Sequence, residues 1–249
     1  MSFDLSLLHI AVISGAYLFA GTAKGITGIG FTTTCLPILA LMFGLKEALP
    51  LVVIPSVLSN LMVMRQAGHF GVTVARFWPL LLTLIPGLAF GLWMLSKIDA
   101  NLASGILGVM VFLWIGFSLA KPSLTLSAHL ERPLVPIIGL VTGTINGVTG
   151  SQVMPVVPFL MMLKMPRDLF IQAVNCSFTL SSFVMAFGLG KLGLFSMQDV
   201  LISVVGSCVM FVGVALGGAV RHRLSEQLFR TATLIMLSVM ALSLILPIL

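Results

Sequence analysis

The chain has 249 residues, 59% of them hydrophobic and only 8% charged, with a mean hydropathy of +1.17, whereas an ordinary soluble domain carries about 25% charged residues. Apolar runs recur from end to end and leave no polar stretch for a separate soluble unit, so one membrane domain over 1–249 is expected. The net charge of +6 comes from basic residues scattered singly between apolar runs, which is a pattern of membrane topology and gives no reason to expect nucleic acid.

A bilayer core about 30 Å thick takes about 20 helical residues per crossing. Against that ruler the chain divides into ten apolar segments: 5–23, 27–43, 48–64, 74–96, 101–120, 133–146, 151–163, 168–188, 197–220 and 226–248. Met1 to Asp4 carry no basic run and no cleavage pattern follows, so the first segment reads as retained in the membrane. The sixth and seventh, at about 14 and 13 residues, look too short to cross alone. Cys35, Cys176 and Cys208 are far apart in apolar runs and read as small core residues, with no disulfide or zinc spacing.

The segments repeat at an offset of 122 residues. Gly21-Thr-Ala-Lys-Gly-Ile-Thr-Gly28 aligns with Gly143-Thr-Ile-Asn-Gly-Val-Thr-Gly150, identical at five of eight positions. At the same offset Leu58-Ser-Asn60 meets Leu180-Ser-Ser182 and Gly68-His-Phe-Gly71 meets Gly190-Lys-Leu-Gly193; with a small shift, Gly87 and Gly91 fall on Gly213 and Gly217. The expected fold is therefore an all-α polytopic membrane protein of two repeats, about 5–120 and 133–248, with 8–10 membrane or half-membrane helices. Five segments per half is an odd number, which inverts the second half. That parity puts Lys24, Arg65, Arg76, Lys121, Arg132, Lys164, Arg167, Arg221, Arg223 and Arg230 on one side and only Lys46, Lys97 and Lys191 on the other. Basic residues favour the cytoplasmic side, so both termini are expected outside, in the periplasm of a bacterial inner membrane.

The paired glycine stretches admit two readings. Glycine inside a helix costs about 1 kcal/mol relative to alanine, and close small-xxx-small packing of helices would offset it without any ligand. Alternatively the helices break there, exposing N–H groups and helix N-termini that favour an anion, as interrupted segments at matching places in two halves do in transporters. Polar residues gather around both stretches. Lys24 and its repeat mate Asn146 precede Gly25 and Gly147; Thr27 and Gly28, Thr149 and Gly150, Ser151, Gln152 and Thr32 to Thr34 follow. Asn60, Asn175, Ser181 and Ser182 come after the next loops. An amide or ammonium in hydrocarbon is costly unless it faces a partner or a wet cavity, so Lys24, Asn60, Gln152 and Asn175 carry the most weight, and Lys24 is the candidate counter-charge for a small anion. A snorkelling or loop lysine is the alternative. Hydroxyls usually bond their own helix and weigh less.

The seven carboxylates, Asp4, Glu47, Asp99, Glu131, Asp168, Asp199 and Glu226, fall at segment ends or in connections, which disfavours a proton relay or a cation site. His9, His69, His129 and His222 have no metal-ligand spacing, and no HExxH, paired intramembrane aspartates or G-x-S-x-G is present. A non-enzyme without cofactor or metal is expected, with a small anion and the lipid bilayer as its partners and self-association left open. The competing classes are a passive anion channel, a carrier of another organic anion and an assembly subunit.

The glycine stretches, the segment reaching Pro37 after the first and the Pro155-x-x-Pro158 run after the second resemble the TauE/SafE sulfite exporter family, also called the 4-toluene sulfonate uptake permeases. The resemblance covers essentially the whole chain. It implies a permease for sulfur-containing anions such as sulfite, sulfoacetate, thiosulfate or organosulfonates. An inside-negative potential favours anion exit by about 2.3 kcal/mol per charge per 100 mV, so export by alternating access would need no coupling ion.

Overall fold

The structure is a computed structural model that describes residues 6–120, 124–220 and 226–248. Asp4, Lys121, Arg221, His222 and Arg223 lie outside the described residues, as do the side chains of Glu226 and Arg230. Among those described there are ten α-helices and no strand: α1 (Leu7–Thr27), α2 (Phe31–Phe43), α3 (Leu45–Ala67), α4 (Phe70–Lys97), α5 (Ala100–Ala120), α6 (Ala128–Thr149), α7 (Val156–Met162), α8 (Arg167–Lys191), α9 (Met197–Val220) and α10 (Glu226–Ile245). Six of them, α1, α3, α4, α5, α8 and α9, are long and apolar enough to cross a membrane. Their outward faces carry Trp78, Trp93, Phe187 and Val205, each more than half exposed. A helical bundle with an apolar exterior is a multi-pass membrane protein.

One expectation is corrected. The sixth segment is not short: α6 runs for 22 residues, about 33 Å at 1.5 Å per residue. Hydropathy stops at Arg132 and Asn146, but the helix continues through both. Glu131 near its start accepts a bidentate pair of bonds from Arg76, at 2.7 and 2.9 Å, and the far end runs on to Thr149. Only α7, with seven residues, is short.

The helices are joined closely where glycine permits it. A Cβ on Gly21 or Gly25 would collide with the backbone of α9 at Met210 and Val214, and one on Gly213 or Gly217 with the backbone of α1. The same arrangement recurs at the repeat-related positions, where Gly143 and Gly147 of α6 lie on the backbone of α4 around Gly87 and Gly91. Both are close approaches of small residues, with dispersion contacts between backbones.

Proline supplies a second kind of joint. Pro55 has no N–H, so the Leu51 carbonyl one turn earlier in α3 loses its helical donor. Tyr17 Oη of α1 donates to that carbonyl, and so does Ser203 Oγ of α9 at 3.2 Å. A helix defect in α3 thus becomes the point where α1, α3 and α9 are tied.

Registers fix the directions. Tyr17 reaches Leu51 and Lys24 reaches Asn60, so α1 and α3 run alike. Lys46 at the start of α3 donates to the Ile98 carbonyl at the end of α4, 3.3 Å, so α3 and α4 run oppositely. The glycine contacts Leu80 with Gly139, Leu84 with Gly143 and Leu88 with Gly147 put α4 and α6 side by side in the same direction.

Candidate functional site

Both glycine stretches end their helix at the third glycine. Gly28 closes α1 with φ 83° and its N–H on the Lys24 carbonyl at 2.7 Å; Gly150 closes α6 with φ 72° and its N–H on the Asn146 carbonyl at 2.7 Å. These left-handed conformations suit glycine, which has no Cβ to clash. Past each cap the chain turns back into a second, shorter helix. Each turn is held by a threonine: Thr27 Oγ1 donates to the Ala23 carbonyl at 2.9 Å and accepts the Ile29 N–H at 3.3 Å, while Thr149 Oγ1 donates to Ile145 at 2.7 Å and accepts the Ser151 N–H at 3.1 Å. Gly28 lies against Ile171 of α8, and Gly150 against Leu49 of α3, which is the repeat-related residue.

The two readings of the stretches are both realised, by different glycines. Gly25 and Gly147 belong to the helix contacts with α9 and α4, so the sequence-based assignment of them to a binding surface finds their Cα faces already occupied by backbone. Gly28 and Gly150 make the breaks.

Lys24 is neither a loop nor a snorkelling residue. It is 2% exposed, inside α1, and donates to Asn60 Oδ1 of α3. It therefore leaves the count of cations on either membrane face. From Asn60 a chain of polar contacts crosses the molecule. Asn60 Nδ2 donates to Ser56 Oγ at 3.4 Å, Ser182 Oγ of α8 lies 3.3 Å from the same oxygen, and Gln152 Nε2 donates to Ser182 Oγ at 3.0 Å. Thr32 of α2 adds a third contact to Ser56 Oγ, 3.0 Å. Lys24, Asn60, Gln152 and Ser182 are thus brought together as the sequence suggested. Asn175 is joined less directly, donating to the Ile171 carbonyl at 2.8 Å and to the Gly28 carbonyl at 3.4 Å, a bond from the second repeat to the break in the first.

Asn146 and Ser181 are buried, but neither side chain has a hydrogen-bond partner. Ser151 is buried beside Gln152, whose Oε1 also lacks a donor. The chemistry of the network is one-sided: an ammonium, two amide NH2 groups and three hydroxyls face one another, and the described carboxylates sit elsewhere. Glu47, Glu131, Asp168 and Asp199 lie in first helical turns, and Asp99 precedes α5. Asp199 is held by Ser196 at 2.6 Å. Among the described residues no ion pair reaches Lys24 and no cluster fits a metal ion. A donor-rich, carboxylate-free network suits an anion.

Two buried polar residues escaped the sequence reading of the site, one inside the network and one outside it. Ser56 is its hub, yet a lone hydroxyl in an apolar helix gives no signal of its own. Gln172 of α8 is fully buried with both amide atoms unpartnered; the rule that selected Asn175 applies to it equally and would have found it. Beside the break lies a cavity of about 430 Å³. Thr27, Thr33, Trp114, Phe117, Phe170 and Phe178 are among its lining, and nothing in the sequence of α5 marks Trp114 or Phe117 for it.

The sulfite exporter TauE/SafE family matches residues 13–244, nearly the whole chain. The chain belongs to that family. The family is one of membrane transporters, so transport is the general activity to which the site is to be related. Comparison with curated proteins and with solved structures gives no match.

Proposed function

We propose that this protein is a permease for a small sulfur-containing anion, such as sulfite, sulfoacetate, thiosulfate or an organosulfonate, working by alternating access in a bacterial inner membrane. The observation that carries the proposal is Lys24: a buried ammonium one turn before a helix break, paired with a neutral amide and no carboxylate. An isolated charge in such surroundings is costly, and an anion bound beside it relieves the cost. Hydroxyl and amide donors from both repeats supply further bonds to an oxyanion.

The halves are inverted in this proposal. Support comes from the registers: α1 and α3 run alike, α3 and α4 oppositely, α4 and α6 alike, so α6 opposes its repeat mate α1. Inverted repeats about a midplane site allow one half to rock against the other. Sidedness in this proposal follows from the cations among the described residues. Arg65, Arg76, Arg132, Lys164 and Arg167 lie at one end of the bundle, Lys46, Lys97 and Lys191 at the other; the first end is then cytoplasmic and both termini periplasmic.

The test is flux of labelled sulfite or sulfonate in proteoliposomes, wild type against Lys24→Ala. Saturable flux that the variant loses is the expected result. Undiminished flux in the variant would remove Lys24 from the mechanism, and flux that grows linearly without saturating would make the protein a channel.

A further inference from the structure

Resting on the anion-transport reading, the charge inventory of the two halves narrows the substrate further. Lys24 and Asn146 occupy the same place on the same scaffold, each four residues before the glycine that ends its helix, and each is at most 2% exposed. Only one of them is charged. The acceptor of Lys24 is Asn60; the residue equivalent to Asn60 in the second half is Ser182, which contacts Gln152 and Ser56 and leaves both atoms of the Asn146 amide unpartnered. The other described cations of α3, α6 and α8 lie near helix ends, Lys46 and Arg65 on α3, Arg132 on α6, Arg167 and Lys191 on α8. A network with one ammonium neutralises one negative charge. A second would be buried against neutral amides and hydroxyls, which orient dipoles but supply no counter-charge.

The cavity of about 430 Å³ lies at the same break: Ala23, Thr33 and Val153, the chain neighbours of Lys24, Thr32 and Gln152, line it, while the network's own side chains do not. Its volume is in the range of about 300–1,000 Å³ typical of small-molecule sites. None of the residues lining it is charged, and Trp114, Phe117, Phe170 and Phe178 give it aromatic walls. We propose that the site selects singly charged organic anions, with the oxyanion head on the Lys24 network and an uncharged body in the cavity, and discriminates against dianions.

The deciding pair is ethanesulfonate and sulfoacetate, which are close in shape but differ by a methyl group in place of the carboxylate. Thermal stabilisation of the purified full-length protein and flux in proteoliposomes are measured for both, alongside benzenesulfonate, thiosulfate and sulfate. The expected result is that the monoanion of the pair stabilises and is moved at least about tenfold better, and that Asn146→Lys, which restores a second cation at the repeat-equivalent position, narrows or reverses the preference. Equal or better handling of sulfoacetate by the wild type overturns the proposal, as does a folded Asn146→Lys protein with unchanged preference. If that variant does not fold, the wild-type pair decides alone. Phe117→Trp, which fills part of the cavity, is expected to weaken benzenesulfonate more than methanesulfonate; an equal effect on both detaches the cavity from the substrate. Failure of every anion, of either charge, to stabilise or move overturns the transport reading itself, an outcome distinct from a preference for dianions.

Discussion

The first and second repeats use one scaffold with two contents. In each, a long helix ends at a left-handed glycine, a threonine ties the turn, and paired glycines seat the helix on the fourth helix of the other half. The side chains placed on that scaffold differ. The first half offers Lys24 on Asn60, charged and paired; the second offers Asn146, neutral and unpartnered, with Ser182 turned to Gln152 and Ser56. Duplicated sequence kept where backbones touch has little room to vary, because a single Cβ there meets a carbonyl oxygen. Side chains facing the network are under no such constraint, and there the halves have diverged in charge.

The comparison predicts that the shared parts respond alike and the divergent parts unequally. The largest effect is expected at the helix contacts. Gly25→Leu and Gly147→Leu each force two backbones apart, and overpacking of this kind costs about 1–3 kcal/mol or more; both variants are expected to give strongly reduced folded yield in detergent, measured by size-exclusion chromatography. A large loss for one and none for the other would break the structural equivalence of the halves.

Next comes Lys24→Ala against Asn146→Ala. A hydrogen bond to a charged group contributes about 1.5–3 kcal/mol, so the first is expected to lower saturable flux by about 10- to 100-fold. Asn146→Ala removes no hydrogen bond within the protein and is expected to cost flux less than Lys24→Ala while leaving thermal stability nearly unchanged.

Smaller still is the pair Asn60→Leu and Ser182→Ala. The first strands a buried ammonium by removing its neutral acceptor, a loss of about 1–3 kcal/mol. The second removes hydroxyl contacts worth about 1 kcal/mol. Unequal melting temperatures, with Asn60→Leu the lower, are the expected outcome; equal ones would mean that Lys24 has another acceptor. The smallest effect belongs to Thr27→Val and Thr149→Val, each losing a turn tie of about 1 kcal/mol and expected to match one another in chemical denaturation.

Much of this was legible in the residues. Ten apolar segments become ten helices because hydrocarbon leaves a backbone no option but to satisfy itself, and the glycine stretches marked both helix ends. The boundaries were misplaced where polarity and helix disagree. Lys24, Arg132 and Asn146 interrupt hydropathy but not the helix, since tertiary partners or burial, rather than composition, set their local fate. Lys24 was identifiable as a candidate, but not its acceptor, which lies 36 residues away on α3.

By itself, then, the sequence determined a helical membrane protein, the two helix breaks and a lone cation beside the first of them, because periodicity, hydropathy and residue chemistry are local properties. Only the tertiary structure decided which glycine packs and which one turns the chain, that Ser56 joins the halves, that Asn146 stands unpartnered and that aromatic residues of α5 wall a cavity beside the break. Each of those depends on which helices cross and at what register, and contacts between positions far apart in the chain are settled by packing.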